Sequence, residues 1–317
     1  MKAIVVYEAG GPEKLVYTEV PTPKVKPGWS LIQVKGFGIN HSEIFTRQGL
    51  SPSVQFPRIL GIEAVGVIAE TSDETKLPVG QKVISIMGEM GRDFDGGYGE
   101  YVLLPNEQIY PVTTDLSWEE LTAVPETFYT AFGSMLRLKI NAADKVLVRG
   151  GTSGVGIAFL KLLRGKFATI EVDGTSRNLE KVDALLAAGF SDVVIDRDGQ
   201  LQTEKKYDKI LELVGPATIK DSFTHILPEG IVCSTGQLGG KWYLEEFDPI
   251  IDSNGGYLTG FYSNDVSSAQ INQLLDYLAA YQINVKPEKI FSLKDTQKAH
   301  EYLESSRSFG KVVVMND

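Results

Sequence analysis

Between the strand-like KVLV and the apolar run IAFLKLL stands RGGTSGVG, from Arg149 to Gly156. Small residues at that spacing let a chain reverse and bring backbone N–H groups against phosphate, and the helix start that follows adds its positive dipole end. Gly151 and Gly156 fill the first and third places of a G-x-G-x-x-G pattern. Ser153 takes the middle place, where a small side chain still leaves room and its hydroxyl can donate to a phosphate. The turn of Gly151, Thr152, Ser153, Gly154, Val155 and Gly156 is therefore the candidate pyrophosphate cradle of a dinucleotide, with Gly150 and Gly154 adding backbone freedom. A merely tight strand-to-helix turn is the alternative.

The end of the next strand decides which dinucleotide fits. An acid there bonds a ribose 2′-hydroxyl, whereas a basic residue accommodates a 2′-phosphate. The stretch IEVDGTSRNLEKV offers Ser176 followed by Arg177, and a guanidinium pairs with phosphate through two parallel bonds. Arg197, in VIDRDG, can add a second positive charge or stand as a solvated turn residue. These residues point to NADPH, with Asp173 as the competing acid that would favour the unphosphorylated cofactor.

The surrounding elements supply the context such a site needs. From Lys145 onward, strand and helix patterns alternate with short connections, which predicts a doubly wound parallel sheet in an α/β protein. The first part of the chain, to about residue 115, is a succession of short strands punctuated by KPG, LPVG and DGG, as in a barrel-like β domain. Between the two, SWEELTAVPETFYTAFGSMLRL carries helical spacing, with Ser117 as N-cap and Glu120 as its capping-box partner. The tail ends in the strand GKVVVMN with no helix after it, so that strand is expected to return to the first domain.

Composition narrows the partners. The 317 residues are 43% hydrophobic and 23% charged, with a net charge of −10 and no block of like charges. That balance argues against nucleic acid. The single cysteine, Cys233, rules out an intrachain disulfide and a cysteine-rich zinc site. No run reaches the roughly 20 apolar residues of a membrane span, and the N-terminus lacks a signal-peptide core. No membrane association and a cytoplasmic location are expected.

In order and spacing, the segments KAIVVYEAGGPEKLVYTEVPTP, VKGFGINHSEIFTRQG, RILGIEAVGVI, GGYGEYVLLP, AVPETFYTAF, VLVRGGTSGVG and FGKVVV resemble the medium-chain dehydrogenase/reductase superfamily. Within it they are similar to the zinc-free quinone oxidoreductases related to ζ-crystallin, and the resemblance covers nearly the whole chain. It implies a GroES-like β-barrel-type catalytic domain over residues 1–120 and 265–317, split around a Rossmann NADP-binding domain over residues 121–264. It also implies a cofactor cleft between the domains and a homodimer. By the same resemblance Asn40 lies near the nicotinamide and substrate, Thr127 and Thr130 face the nicotinamide, and Lys311 lies close to the cofactor. Capping of the helix HSEIFTRQG is the alternative task for Asn40; helix packing is that for the threonines, and a surface position that for Lys311. Backbone around Gly236, in TGQLGG, would hold the carboxamide. Tyrosines common in the family after the asparagine are replaced here by Phe45 and Ser51; neighbouring His41 is a candidate proton donor or, alternatively, a polar loop residue.

The zinc-dependent cousins bind metal through a cysteine after the GIN-like segment and a histidine in a GHE triplet. Here the matching residues are Asn40-His41-Ser42 and Gly61-Ile62-Glu63, and no metal site is expected. Without a Lewis acid the substrate must itself be electrophilic, as a quinone or another small carbonyl acceptor is. Three functions are consistent with this reading. The first is an NADPH-dependent quinone reductase; the second is an NADPH-dependent reductase of α,β-unsaturated carbonyls (enones or alkenals). The third is a non-catalytic NADPH-binding protein of crystallin-like or RNA-binding kind. The candidate catalytic residues are Asn40, His41 and Thr127.

Overall fold

The computed structural model describes residues 1–305 and 307–316, which form two compact units. The first unit comprises residues 1–127, 264–276 and 285–317; the second comprises 128–263 and 277–284.

The first unit opens with β1 (Lys2–Val6), which pairs antiparallel with β2 (Leu15–Glu19). The ten-residue β3 (Trp29–Gly38) runs into the short helix α1 (His41–Arg47). After β4 (Arg58–Ile59) come β5 (Glu63–Glu70), β6 (Lys82–Ile86), β7 (Tyr101–Pro105) and β8 (Tyr110–Pro111). In β7 alternate residues Val102 and Leu104 are buried, the period of two that a sheet with one covered face requires. They join Ile32, Val34, Phe37 and Val83 in the core of this unit.

The helical stretch read from Ser117 to Leu138 breaks in two: α2 (Trp118–Thr122) and α3 (Pro125–Leu138). Ser117 and Glu120 form the expected capping box at the start of α2. The break falls where Pro125, which has no N–H to offer a preceding turn, takes the first position of a new helix instead.

The second unit is the doubly wound sheet. Along the chain it has β9 (Lys145–Arg149), α4 (Gly154–Lys166), β10 (Glu171–Ser176), α5 (Val182–Ala188), β11 (Asp192–Arg197) and β12 (Gln200–Leu201). It continues with β13 (Tyr207–Glu212), α6 (Ile219–Thr224), β14 (Ile226–Ser234) and β15 (Tyr257–Gly260). The strand order β12-β11-β10-β9-β13-β14-β15 is parallel apart from β12. Winding reverses between β9 and β13, so the carboxyl end of β9 is the switch point at which open α/β sheets bind ligands.

Helix α7 (Ser268–Ala280) leads to β16 (Lys289–Ser292), α8 (Thr296–Glu304) and β17 (Val312–Met315). The last strand lies antiparallel against β3, with Val314 opposite Phe37, as its lack of a following helix suggested. The sheet of the first unit then reads β16-β17-β3-β5-β6-β8, with β7 also on β3.

A buried ion pair organises the switch point. Arg149, the last residue of β9, is fully buried. Its Nε and one terminal nitrogen donate to the two carboxylate oxygens of Asp196 in β11, at 2.7 and 3.0 Å. The other terminal nitrogen donates to Ser222 Oγ and to the Thr218 carbonyl, and lies 2.9 Å from Asp221 Oδ2. One guanidinium thus ties β9 to β11 and α6. Removing one partner of such a pair leaves uncompensated buried charge. Arg149→Ala is expected to destabilise the protein by about 3–5 kcal/mol, read as a lower denaturation midpoint in urea.

Candidate active site

The phosphate turn begins directly after Arg149. Gly150, and not Gly151, makes the reversal: its φ is +95°, a left-handed conformation that glycine adopts without strain. Gly150 N donates to Thr175 Oγ1 at 2.9 Å, which pins the turn to β10. A side chain on Gly156 would sit 2.6 Å from the Gly150 carbonyl, so the third glycine is required by the close packing of helix and turn. Ser153, expected at the phosphate, also has a structural task. It is the N-cap of α4, donating to the Gly150 carbonyl at 2.8 Å and accepting from Gly156 N at 3.1 Å. The N–H groups of Gly154 and Val155 have no acceptor within the helix by position and are the ones available to an anion. Thr152 lies in the turn between Gly151 and the cap.

Strand β10 runs from Glu171 to Ser176, a start shifted along the chain because residues 167–170 are spent turning out of α4. That shift settles the acid. Asp173 sits in mid-strand, fully buried, and its Oδ2 accepts from Lys205 Nζ at 2.9 Å and Tyr207 OH at 3.0 Å. It is therefore not the strand-end residue that would meet a ribose. The strand ends at Ser176, and the exposed Arg177 follows. The exposed Arg197 ends the adjacent β11, which pairs in register with β10 through Ser176 and Ile195. On the other side of β9, Gly236 N donates to the Glu212 carbonyl at 3.3 Å, and Leu238 N and Gly239 N donate to the carbonyls of Leu213 and Val214. These bonds fasten the segment after β14 to the end of β13. The buried Glu212 carboxylate accepts from Val214 N and Gly215 N in the same corner.

The first unit carries a second polar cluster. Lys311, 6% exposed, places its ammonium 2.7 Å from Asn40 Oδ1 and 2.6 Å from Glu63 Oε1. Asn40 Nδ2 donates to Glu63 Oε1 at 2.8 Å and to Glu43 Oε1 at 3.4 Å. The other oxygen of Glu63 accepts from Glu126 N, at the start of α3, at 3.0 Å. Asn40 holds the N-cap position of α1 but makes no capping bond with its side chain. Lys311 is thus neither a surface lysine nor an unengaged cation. His41 is exposed at the start of α1, and Thr127 and Thr130 are buried at 2% and 4%.

Comparison with known proteins bears on both clusters. An alcohol dehydrogenase GroES-like domain family matches residues 26–114, and a zinc-binding dehydrogenase family matches residues 188–314. A quinone oxidoreductase of Pongo abelii is 27% identical over 250 residues, 75% of this chain and 74% of that protein. The crystal structure of Bacillus subtilis yhfP with NAD bound covers 99% of this chain and 98% of its own, at TM-score 0.85 and 24% identity. Mycobacterial Rv1454c complexed with NADPH covers 99% of this chain and all of its own, at TM-score 0.83 and 23% identity.

The chain belongs to the medium-chain dehydrogenase/reductase superfamily. It is an oxidoreductase of that superfamily. The zinc named in one matching family has no donor at Ile62 among the described residues. Ile62 is buried and has no ligating atom, and Glu63 already meets the Lys311 ammonium. Among the described residues, no group of three or more His, Cys, Asp or Glu could hold a metal. No helix among them is long and apolar enough to cross a membrane.

Sequence reasoning passed over three residues of this superfamily member: Thr175, Glu63 and Glu43. Glu63 had a signal, since its triplet was compared with GHE, but its ion pair to Lys311 spans 248 residues of sequence. Glu43 is buried, and its pKa is pushed up from 4.5 to about 7, by burial first and then by the charge of Glu63. An acid whose folded-state pKa is raised favours folding while it stays neutral. That contribution is whole below the unfolded pKa and is lost as pH rises toward the folded value. Glu43→Gln is therefore expected to match the wild-type protein in stability near pH 4 and to exceed it at pH 8 by on the order of 2–3 kcal/mol. Parallel urea titrations at the two pH values check this.

Proposed function

We propose that the chain transfers a hydride from NADPH to a quinone without the help of zinc. The observation that carries the cofactor choice is at the end of β10. The acid that could have claimed a ribose, Asp173, is buried against Lys205 and Tyr207, while Arg177 and Arg197 end adjacent strands in the open. Two guanidinium groups there suit a 2′-phosphate. The pyrophosphate would lie on the N–H groups of Gly154 and Val155. The NADPH of the mycobacterial structure supports this reading, while the NAD of the Bacillus structure marks the alternative within one fold.

When bound, NADPH supplies the hydride. The protein orients the acceptor, excludes water and binds the oxygen on which negative charge develops. Asn40 supplies the hydrogen bond to that oxygen through Nδ2, whose bond to Glu43 is long and replaceable. A quinone needs one hydride and one proton to become a hydroquinone, and His41, exposed at the start of α1, is within reach of bulk water for the proton. The lack of a ligand set around Ile62 supports acceptors that need no Lewis acid, and the name of the Pongo abelii relative supports a quinone.

The homodimer reading draws support from β15. It is an outer strand of its sheet, and Leu258 in it is 47% exposed, with Ile250 and Ile251 nearby at 92% and 71%. An open edge beside exposed apolar residues invites pairing with a second copy.

Three measurements test these proposals. NADPH oxidation with 1,4-benzoquinone should proceed at the same rate with and without a chelator, and faster than with an enone. Arg177→Ala should raise the KM for NADPH about tenfold or more and leave that for NADH unchanged, as loss of a charge-assisted phosphate contact predicts. Equal use of both cofactors by the wild-type enzyme would refute the cofactor assignment. Leu258→Arg should shift the protein from dimer to monomer in sedimentation; a wild-type monomer would refute the dimer.

A further inference from the structure

One buried carboxyl beside Asn40 has no task in the reaction as described. Glu43, 1% exposed, accepts at Oε1 from Ile62 N at 3.1 Å and from Asn40 Nδ2 at 3.4 Å. Its Oε2 is buried and has no hydrogen-bond partner. A charged oxygen in that state has lost water and gained nothing in return, whereas a neutral carboxyl is far cheaper to bury. The groups facing it come from several elements. Glu63 of β5 and Lys311, just before β17, act on it by charge, and Tyr98, before β7, lies within the field of both glutamates. Behind Tyr98 stands His300 of α8, 3.0 Å from its hydroxyl and kept neutral by burial and by Arg47. On the helix of Glu43 itself, Arg47 is engaged by both oxygens of Glu304. Lys311 is therefore the cation serving Glu43 and Glu63 among the described residues, and its ammonium sits on Glu63. One ammonium does not neutralise two buried carboxylates, and the acid with the unpartnered oxygen is the one that takes the proton.

We propose that Glu43 is a positioning residue for Asn40: as the neutral acid it releases the second Nδ2–H of Asn40 to the carbonyl oxygen of a ligand, and as the carboxylate it keeps that N–H for itself. The inference rests on the carbonyl-reducing function proposed above. No bond is made or broken at Glu43; one hydrogen bond of Asn40 changes partner. The geometry favours the exchange, because the bond to Glu43 is the longest that Asn40 makes and its bonds to Glu63 and Lys311 hold the amide in place meanwhile. Protonation of Glu43 weakens that bond further, since a neutral carboxyl oxygen is a poorer acceptor than a carboxylate.

The sign follows. The releasing form is the protonated one, so binding of the acceptor weakens as pH rises through the value of about 7 to which Glu43 is pushed. The test is kcat/KM for 1,4-benzoquinone with saturating NADPH between pH 6 and 8.5, corrected for the uncatalysed reaction, in wild type, Glu43→Gln and Glu43→Asp. Wild type should lose up to about tenfold per pH unit above the midpoint, mainly through KM. Glu43→Gln should keep the low-pH value throughout, and Glu43→Asp should keep a slope. In parallel, infrared difference spectra of the resting wild-type and Glu43→Asp proteins should show a buried protonated carboxyl that disappears over the same pH range. A Glu43→Gln profile parallel to wild type, a wild-type rate that rises with pH, or no such carboxyl band would overturn this inference alone. No wild-type turnover with quinone or enone at any pH would overturn the proposed function and this inference with it.

Discussion

The candidate phosphate turn depends on a charge that is buried behind it. Arg149 is spent inside the protein, on Asp196, Asp221, Ser222 and the Thr218 carbonyl. Because its backbone ends β9 and the next residue carries the left-handed φ, the guanidinium fixes where the reversal begins. It also consumes Asp196, the acid at the end of β11, which would otherwise stand beside Arg197 and oppose a bound phosphate. Burial of one ion pair therefore sets both the geometry of the turn and the sign of the surface beyond it.

The first unit shows the same economy. Lys311 and Glu63 come from opposite ends of the chain and meet at 2.6 Å, and Asn40 bridges them. A buried pair of this kind needs its remaining donors and acceptors satisfied. Glu63 meets the condition through Glu126 N and Asn40, which couples the start of α3 to the start of α1. Lys311 is thereby held inward and not at the surface position that was its alternative in the sequence.

The elements of the fold were largely legible in sequence because each carries a local pattern. Turns such as KPG, LPVG and DGG between short strands marked the β domain, alternation of strand and helix marked the Rossmann sheet, and Ser117 with Glu120 marked the start of α2. Harder to read was anything decided by partners far along the chain. Ser153, expected at the phosphate, is also the cap of α4, through bonds to Gly150 and Gly156 that its spacing alone did not announce. Asp173 looked like a strand-end acid and is a mid-strand one, since β10 starts three residues later than its apolar run suggested. Its partners Lys205 and Tyr207 lie more than thirty residues away in sequence. Glu43 had no local signal at all: its burial is imposed by the strands around α1.

The two clusters differ in one physical respect that bears on chemistry. A metal ligand set would hold a double positive charge against which acids stay ionised, and would respond to pH mainly through bound water. The cluster around Asn40 instead has one ammonium for two carboxyls, and burial with the Glu63 charge pushes the pKa of Glu43 up to about 7. The acid with the orphaned oxygen is one hydrogen bond from the Asn40 amide. On the proposed reading, such a site offers a hydrogen-bond donor whose availability is set by a proton, in place of a metal's constant charge. That suits acceptors already electrophilic enough to need orientation more than activation.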